Sequence, residues 1–171
     1  MNSEKEFYFV RHGQTDANLS PVKVDYDDIA LNETGKKQAL AIEPYIATLP
    51  IKSICYSPLK RAVETKNLIS RRLQALQHEI VHLGECNAWI WNDMTSGFIQ
   101  TTHVSSFIER AVSGINQSLV KEGPVLIVAH GGIHWAFCHA MAISDHNWFI
   151  DNCHPVHFIL KEEQWRAKPL L

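Results

Sequence analysis

The chain has 171 residues, 46% hydrophobic and 20% charged, with a net charge of −2; this suits a single domain over residues 1–171 with one sizeable core. With no basic surplus and no apolar run long enough to cross a bilayer, neither nucleic acid nor a membrane is an expected partner, and any phosphate site has to be a local positive pocket. Residues 1–6 lack the basic-then-apolar order of a secretory signal, and Cys55, Cys86, Cys138 and Cys153 are scattered, so reduced, buried thiols in a cytoplasmic protein are expected.

In chain order, the aromatic and β-branched run 7–10 predicts a buried strand. A helix is expected over 34–49 after Asn32 as N-cap, with Pro44 disturbing it or marking its last turns. A strand follows at 53–56, then a long helix over 59–76, with Pro58 placed to open its first turn. Strands are expected at 79–83, 125–129, 156–160 and 164–167, and helices at 104–121 and 133–143. Strands alternating with helices imply a three-layer α/β/α sandwich. Its sheet is mostly parallel, with the last two strands forming an antiparallel edge.

Chemistry gathers where strands end. The first strand runs directly into Arg11, His12 and Gly13, and the strand 125–129 into His130, Gly131 and Gly132. Ligands of open α/β sheets sit beyond the carboxyl ends of strands, and a helix opening at two glycines offers backbone N–H groups to an anion. After the strand at 53–56, Arg61 falls in the first turns of a helix and can reach back over the same sheet edge. A cation and an imidazole side by side suit a phosphorylated substrate. Two guanidiniums can bind the oxygens of a transferring phosphoryl group, so no metal or other cofactor is needed.

These segments resemble the histidine phosphatase superfamily, the phosphoglycerate mutase-like fold. The matches are Arg11-His12-Gly13-Gln14-Thr15 with Asn18, Leu31-Asn32-Glu33-Thr34-Gly35, Ser57-Pro58-Leu59 with Arg61 and Thr65, Glu85, and His130-Gly131-Gly132. The resemblance implies that His12 is a nucleophile that becomes phosphohistidine. It implies that Arg11, Arg61 and His130 hold the phosphoryl oxygens, and that Glu85 donates and accepts the proton. Asn18, Thr15 and Gly131 are the expected substrate-binding residues. The acid would need a raised pKa, through burial or a nearby anion.

The chain departs from that pattern after Glu85, where the expected glycines are missing. Asp93 therefore stands beside Glu85 as a candidate acid. Trp89, Trp91, Met94 and Phe98 form either ordinary core or a stacking wall by the pocket. His154 with His157, and His130 with His134, lack the spacing or partners of a metal site. Only 44 residues separate Glu85 from His130. A connection that short is expected to leave the pocket uncovered, favouring hydrolysis over mutase chemistry. Three functions compete: a metal-independent phosphomonoesterase acting on a phosphorylated small molecule, a phosphatase of phosphohistidine in phosphoproteins, and a phosphate-binding member without turnover.

Overall fold

The computed structural model describes residues 5–171. The chain runs β1 (Glu6–Arg11), α1 (Glu33–Ile46), β2 (Ser53–Tyr56), α2 (Lys60–Ile69), β3 (Leu76–Glu79), α3 (Ala88–Thr95), α4 (Thr102–Leu119), β4 (Val125–Ala129), α5 (Gly131–Ala140), β5 (Pro155–Lys161) and β6 (Gln164–Pro169). Residues 1–4, part of the stretch read against a secretory signal, lie outside the described residues.

The six strands form one sheet in the order β3-β2-β4-β1-β5-β6. The first four are parallel, and β5 and β6 close one edge antiparallel. Side chains alternate across it as the period of two requires. Phe7 and Phe9 of β1, with Val125, Ile127 and Ala129 of β4, face a core completed by α4 and α5 through Phe107, Ile115, Ile133 and Phe137. Tyr8, Val10, Leu126 and Val128 face the opposite core, with Ala39, Ile42 and Ile46 of α1 and Ile69 of α2. The result is a three-layer α/β/α sandwich. Phe7 is fully buried, stacked on Phe158 at 4.7 Å between ring centroids and edge-on to Phe137 at 5.4 Å.

Asn32 caps α1 by accepting the Gly35 N–H at 2.9 Å, and Pro44 sits in its last turn. Three elements differ from the sequence expectation. The helix from residue 60 ends at Ile69, where the Ser70 hydroxyl donates to the Lys66 carbonyl at 2.6 Å. Leu76 then pairs with Ser53 instead of completing a helical face; tertiary pairing outweighs local propensity here. Pro58 precedes the helix rather than opening it. The strand expected at 79–83 lies earlier, at Leu76–Glu79, because β2 offers only four residues to pair with. The chain then makes a 3-10 turn over Val81–Leu83, burying Leu83 and leaving Val81 exposed. The third is α3, a helix the sequence reading did not foresee, capped by the Asn87 side chain accepting the Ile90 N–H at 2.9 Å.

Candidate active site

Sheet register builds the floor of the site. β1 and β4 are neighbours, with Arg11 opposite Ala129. The next residue of each strand is a histidine, so His12 and His130 leave the sheet at one level. The His12 N–H still donates to the Ala129 carbonyl at 3.0 Å, and the Ser57 N–H to the Val128 carbonyl at 3.1 Å. The imidazoles lie 5.2 Å apart between centroids. β1 also lies where the chain's strand order reverses, the usual position of a ligand crevice. Arg61, in the first turn of α2, reaches back so that its Nε donates to Nε2 of His12 at 3.3 Å. The Thr65 hydroxyl fastens this corner, accepting the Gly13 N–H at 2.9 Å and donating to the Arg61 carbonyl at 2.7 Å.

His12 is buried, and its Nδ1 lies 2.7 Å from the Gly13 carbonyl. A carbonyl only accepts, so Nδ1 carries the proton and the lone pair falls on Nε2. Burial, then the nearby His130, Arg11 and Arg61, hold the His12 pKa well below the usual imidazole value. Burial also holds His130 well below it, helped by Arg61, Lys23 and Arg11. His130 is fully buried, its Nε2 2.7 Å from the Ser57 hydroxyl. Arg11 donates through Nη1 to the Ile150 carbonyl at 2.7 Å. Burial lowers the pKa of both arginines, yet a guanidinium stays charged at neutral pH. Nε of Arg11 and Nδ1 of His130 are buried without a hydrogen-bond partner among the described residues. Buried polar atoms of this kind are costly unless something satisfies them.

Glu85 is seated from three sides. Its carboxylate accepts the Gly132 N–H at 3.2 Å and the Cys86 N–H at 3.0 Å, and pairs with Lys23 Nζ at 3.2 Å. Gly132 is the second residue of α5, where a helix N–H has no partner within the helix. A Cβ at this position would collide with the Glu85 carboxylate, so the carboxylate keeps this seat only while residue 132 is glycine. Burial pushes the Glu85 pKa up, but Lys23 and the two backbone bonds outweigh it and hold it below the usual carboxylate range. The raised acid expected from the sequence is therefore not the state of the ligand-free protein. Asp93 is corrected outright: it pairs with His103 at 2.7 Å and does not line the cavity.

The site opens into a cavity of about 630 Å³ whose lining includes Arg11, His12, Thr15, Asn18, Arg61, Glu85 and Gly131. His130 lies behind His12 and does not line it. Asn18 accepts from the Thr15 N–H at 2.9 Å, the Thr15 hydroxyl at 3.2 Å and the Asn152 amide at 3.3 Å, all at Oδ1. Those bonds leave its amide N–H groups for the cavity, and make Thr15 the support of Asn18. Asn152 also donates to the His12 carbonyl at 2.9 Å.

The expectation of an uncovered pocket is also corrected. Residues 20–29, between β1 and α1, form a wall of the cavity. Asp25 accepts the Ala88 N–H at 2.7 Å and Asp28 the Lys60 N–H at 2.8 Å. Two carboxylates thus pin this strap to the amino ends of α3 and α2, where helix dipoles favour negative charge. Lys23 lies on the strap, 4.3 Å from the centroid of Trp91. Trp91 lines the cavity, edge-on to Phe149 at 5.8 Å. Met94 is core, whereas Trp89 and Phe98 are exposed. Sequence reasoning missed Lys23, Asn152 and Phe149, for none carries a pattern of its own; it marked the Gly132 N–H as an anion donor but not that the anion is the Glu85 carboxylate.

Known proteins share this architecture. A glucosyl-3-phosphoglycerate phosphatase from mycobacteria superposes with a TM-score of 0.72 at 19% identity, covering 98% of each chain. An uncharacterized phosphatase of Bacillus subtilis, PhoE, is 30% identical over an alignment of 179 positions that covers 93% of this chain and 90% of that protein. An agropine synthesis reductase of Rhizobium rhizogenes is 43% identical over 70 residues, 35% of this chain but only 16% of that protein. The model of the histidine phosphatase superfamily, branch 1, matches residues 7–105, which include Arg11, His12, Arg61 and Glu85. The chain belongs to the histidine phosphatase superfamily.

Proposed function

We propose that the chain is a metal-independent phosphatase that hydrolyses phosphomonoesters through a phosphohistidine on His12. The observation that carries this reading is the bond from His12 Nδ1 to the Gly13 carbonyl, which leaves the Nε2 lone pair beside Arg61. Nε2 attacks phosphorus as the ester P–O bond breaks, and the leaving oxygen takes a proton from Glu85. Water then attacks the phosphohistidine, Glu85 takes back a proton, and phosphate leaves with His12 restored. Arg11, Arg61, Gly131 N–H and Asn18 face the charge that spreads over the phosphoryl oxygens, with His130 packed beside His12. The incoming dianion draws on Lys23 and repels the Glu85 charge, which raises the carboxyl pKa when an acid is needed.

The cavity volume suits a phosphorylated small molecule, with Trp91 and Phe149 as an apolar wall. Four buried free thiols fit a reducing, cytoplasmic setting. His12→Ala should abolish hydrolysis of a generic aryl phosphate while phosphate binding persists; full turnover in that variant refutes the reading.

One observation favours a second substrate class, phosphohistidine on a protein. Glu85 is held as a carboxylate by Lys23, and a phosphoramidate leaving group depends less on a strong acid. Glu85→Gln separates the two. A loss of about 10²-fold or more on alkyl phosphates is expected for either; retained cleavage of phosphohistidine alone supports the second.

A further inference from the structure

We propose that His134, Cys138 and His146 form a binding site for a zinc-class divalent metal, separate from the phosphoryl site. His134 and Cys138 stand four residues apart on α5, and His146 follows on the segment leading to β5. The sequence reading set His134 beside His130; the fold sets it beside these two instead. Nε2 of His134 lies 3.0 Å from Nε2 of His146 and 3.8 Å from Sγ of Cys138. The three donor atoms all lie within 4.8 Å of one another. A tetrahedral zinc ion with ordinary bond lengths sets its nitrogen ligands about 3.3 Å apart and nitrogen from sulfur about 3.6 Å apart. The two spacings from His134 Nε2, 3.0 Å and 3.8 Å, lie within a few tenths of an ångström of these values.

The surroundings favour the same conclusion. Nδ1 of His134 donates to the Trp148 carbonyl at 2.8 Å. This is the outer bond that metal-bound histidines commonly make, and it fixes the lone pair on Nε2. His134 and Cys138 are buried, while His146 is half-buried and gives a path from solvent. In the metal-free protein one imidazole donates to the other, which requires Nε2–H on His146. Metal binding moves that proton to Nδ1 of His146. A thiolate, not a thiol, is the ligand, so the Cys138 proton leaves as the ion binds, one released per ion bound. The two imidazoles and the thiolate leave a fourth position for water.

The site has something to hold. Ala142 (φ 50°), Asp145 (φ 56°) and Cys153 (φ 53°) all take left-handed backbone conformations, each costing about 1 kcal/mol or more for a residue other than glycine. Between Asp145 and Cys153 the chain supplies the Ile150 carbonyl to Arg11 and Asn152 to the His12 carbonyl. A metal on His146 would brace the segment that steadies the phosphoryl-binding arginine.

Titration of the chelator-stripped protein with cobalt(II) tests this directly. One equivalent should produce a thiolate-to-cobalt charge-transfer band, bleached by one equivalent of zinc, with release of one proton. The band should vanish in Cys138→Ser and persist in Cys86→Ser, whose thiol lines the phosphoryl cavity. His146→Ala, which removes a half-buried side chain, should weaken cobalt binding about tenfold or more and abolish the zinc-induced rise in melting temperature. Absence of the band in the wild type, or its survival in Cys138→Ser, overturns the proposal.

Discussion

The floor and the wall of the cavity are built by different means. Arg11, His12 and His130 stand where two adjacent parallel strands end, at a level set by the pairing of Arg11 with Ala129. Arg61 joins them from the first turn of α2. Glu85, Lys23 and Trp91 belong to the wall, and side-chain contacts fix their places: Lys23 to Glu85, Asp25 to Ala88, Lys23 over Trp91. Backbone register is shared by every residue of a strand and tolerates little error. Contacts from loops can be altered one at a time. In the mechanism proposed above, the floor carries the phosphoryl transfer and the wall manages substrate and proton.

Substitutions should separate the two. On the floor, Arg61→Ala removes the charge proposed to stabilise the phosphoryl oxygens and should lower kcat by about 10²–10³-fold on an aryl phosphate. A loss of only a few-fold would mean that the floor does not bear the charge. On the wall, Gly132→Ala places a Cβ against the Glu85 carboxylate and should lower kcat by about 10²-fold on alkyl phosphates. With a phenol leaving group, which needs no strong acid, it should do less. An equal loss on both would show that the floor had moved too.

Lys23→Met should act more gently. It frees Glu85 from its largest pKa-lowering partner, so the Glu85 carboxyl should titrate at higher pH. The pH-rate profile for alkyl phosphates should shift upward on its acid-dependent limb with only a few-fold change at its maximum. An unshifted profile would show that Lys23 does not control the acid.

The smallest effect is on stability. His12 and His130 are held neutral in the fold, with pKa values well below 6.5. Between those values and about 6.5 the unfolded chain binds more protons than the folded one, so stability is full above about pH 6.5 and falls as the pH drops. Urea midpoints from pH 7.5 to 5 should show this decline, and it should be shallower in His130→Asn. An unchanged slope would contradict the burial assigned to His130.

The same division explains how much of the molecule could be read from its sequence. Strand runs of alternating core residues, such as Phe7–Val10, reveal their faces directly, and the histidines follow them with no intervening turn. Thus the sandwich, the antiparallel edge and the meeting of Arg11, His12, Arg61 and His130 were legible. The boundary at Ile69 was not, because Leu76 continues an apolar helical period while its backbone pairs with Ser53. Nor was the strap, since Asp25 and Asp28 look like ordinary loop carboxylates until α3 and α2 present their N–H groups. The acid's low pKa was hidden for a related reason: Lys23 lies 62 residues before Glu85 in the chain.

The central claim is that Nε2 of His12 takes the phosphoryl group. Rapid quenching of the wild-type enzyme during turnover of a labelled aryl phosphate should trap an acid-labile, alkali-stable phosphoprotein. Its label should map to the peptide containing His12 and be missing from His12→Ala. An enzyme that turns over with no such intermediate, or that carries the label on another residue, would contradict the account.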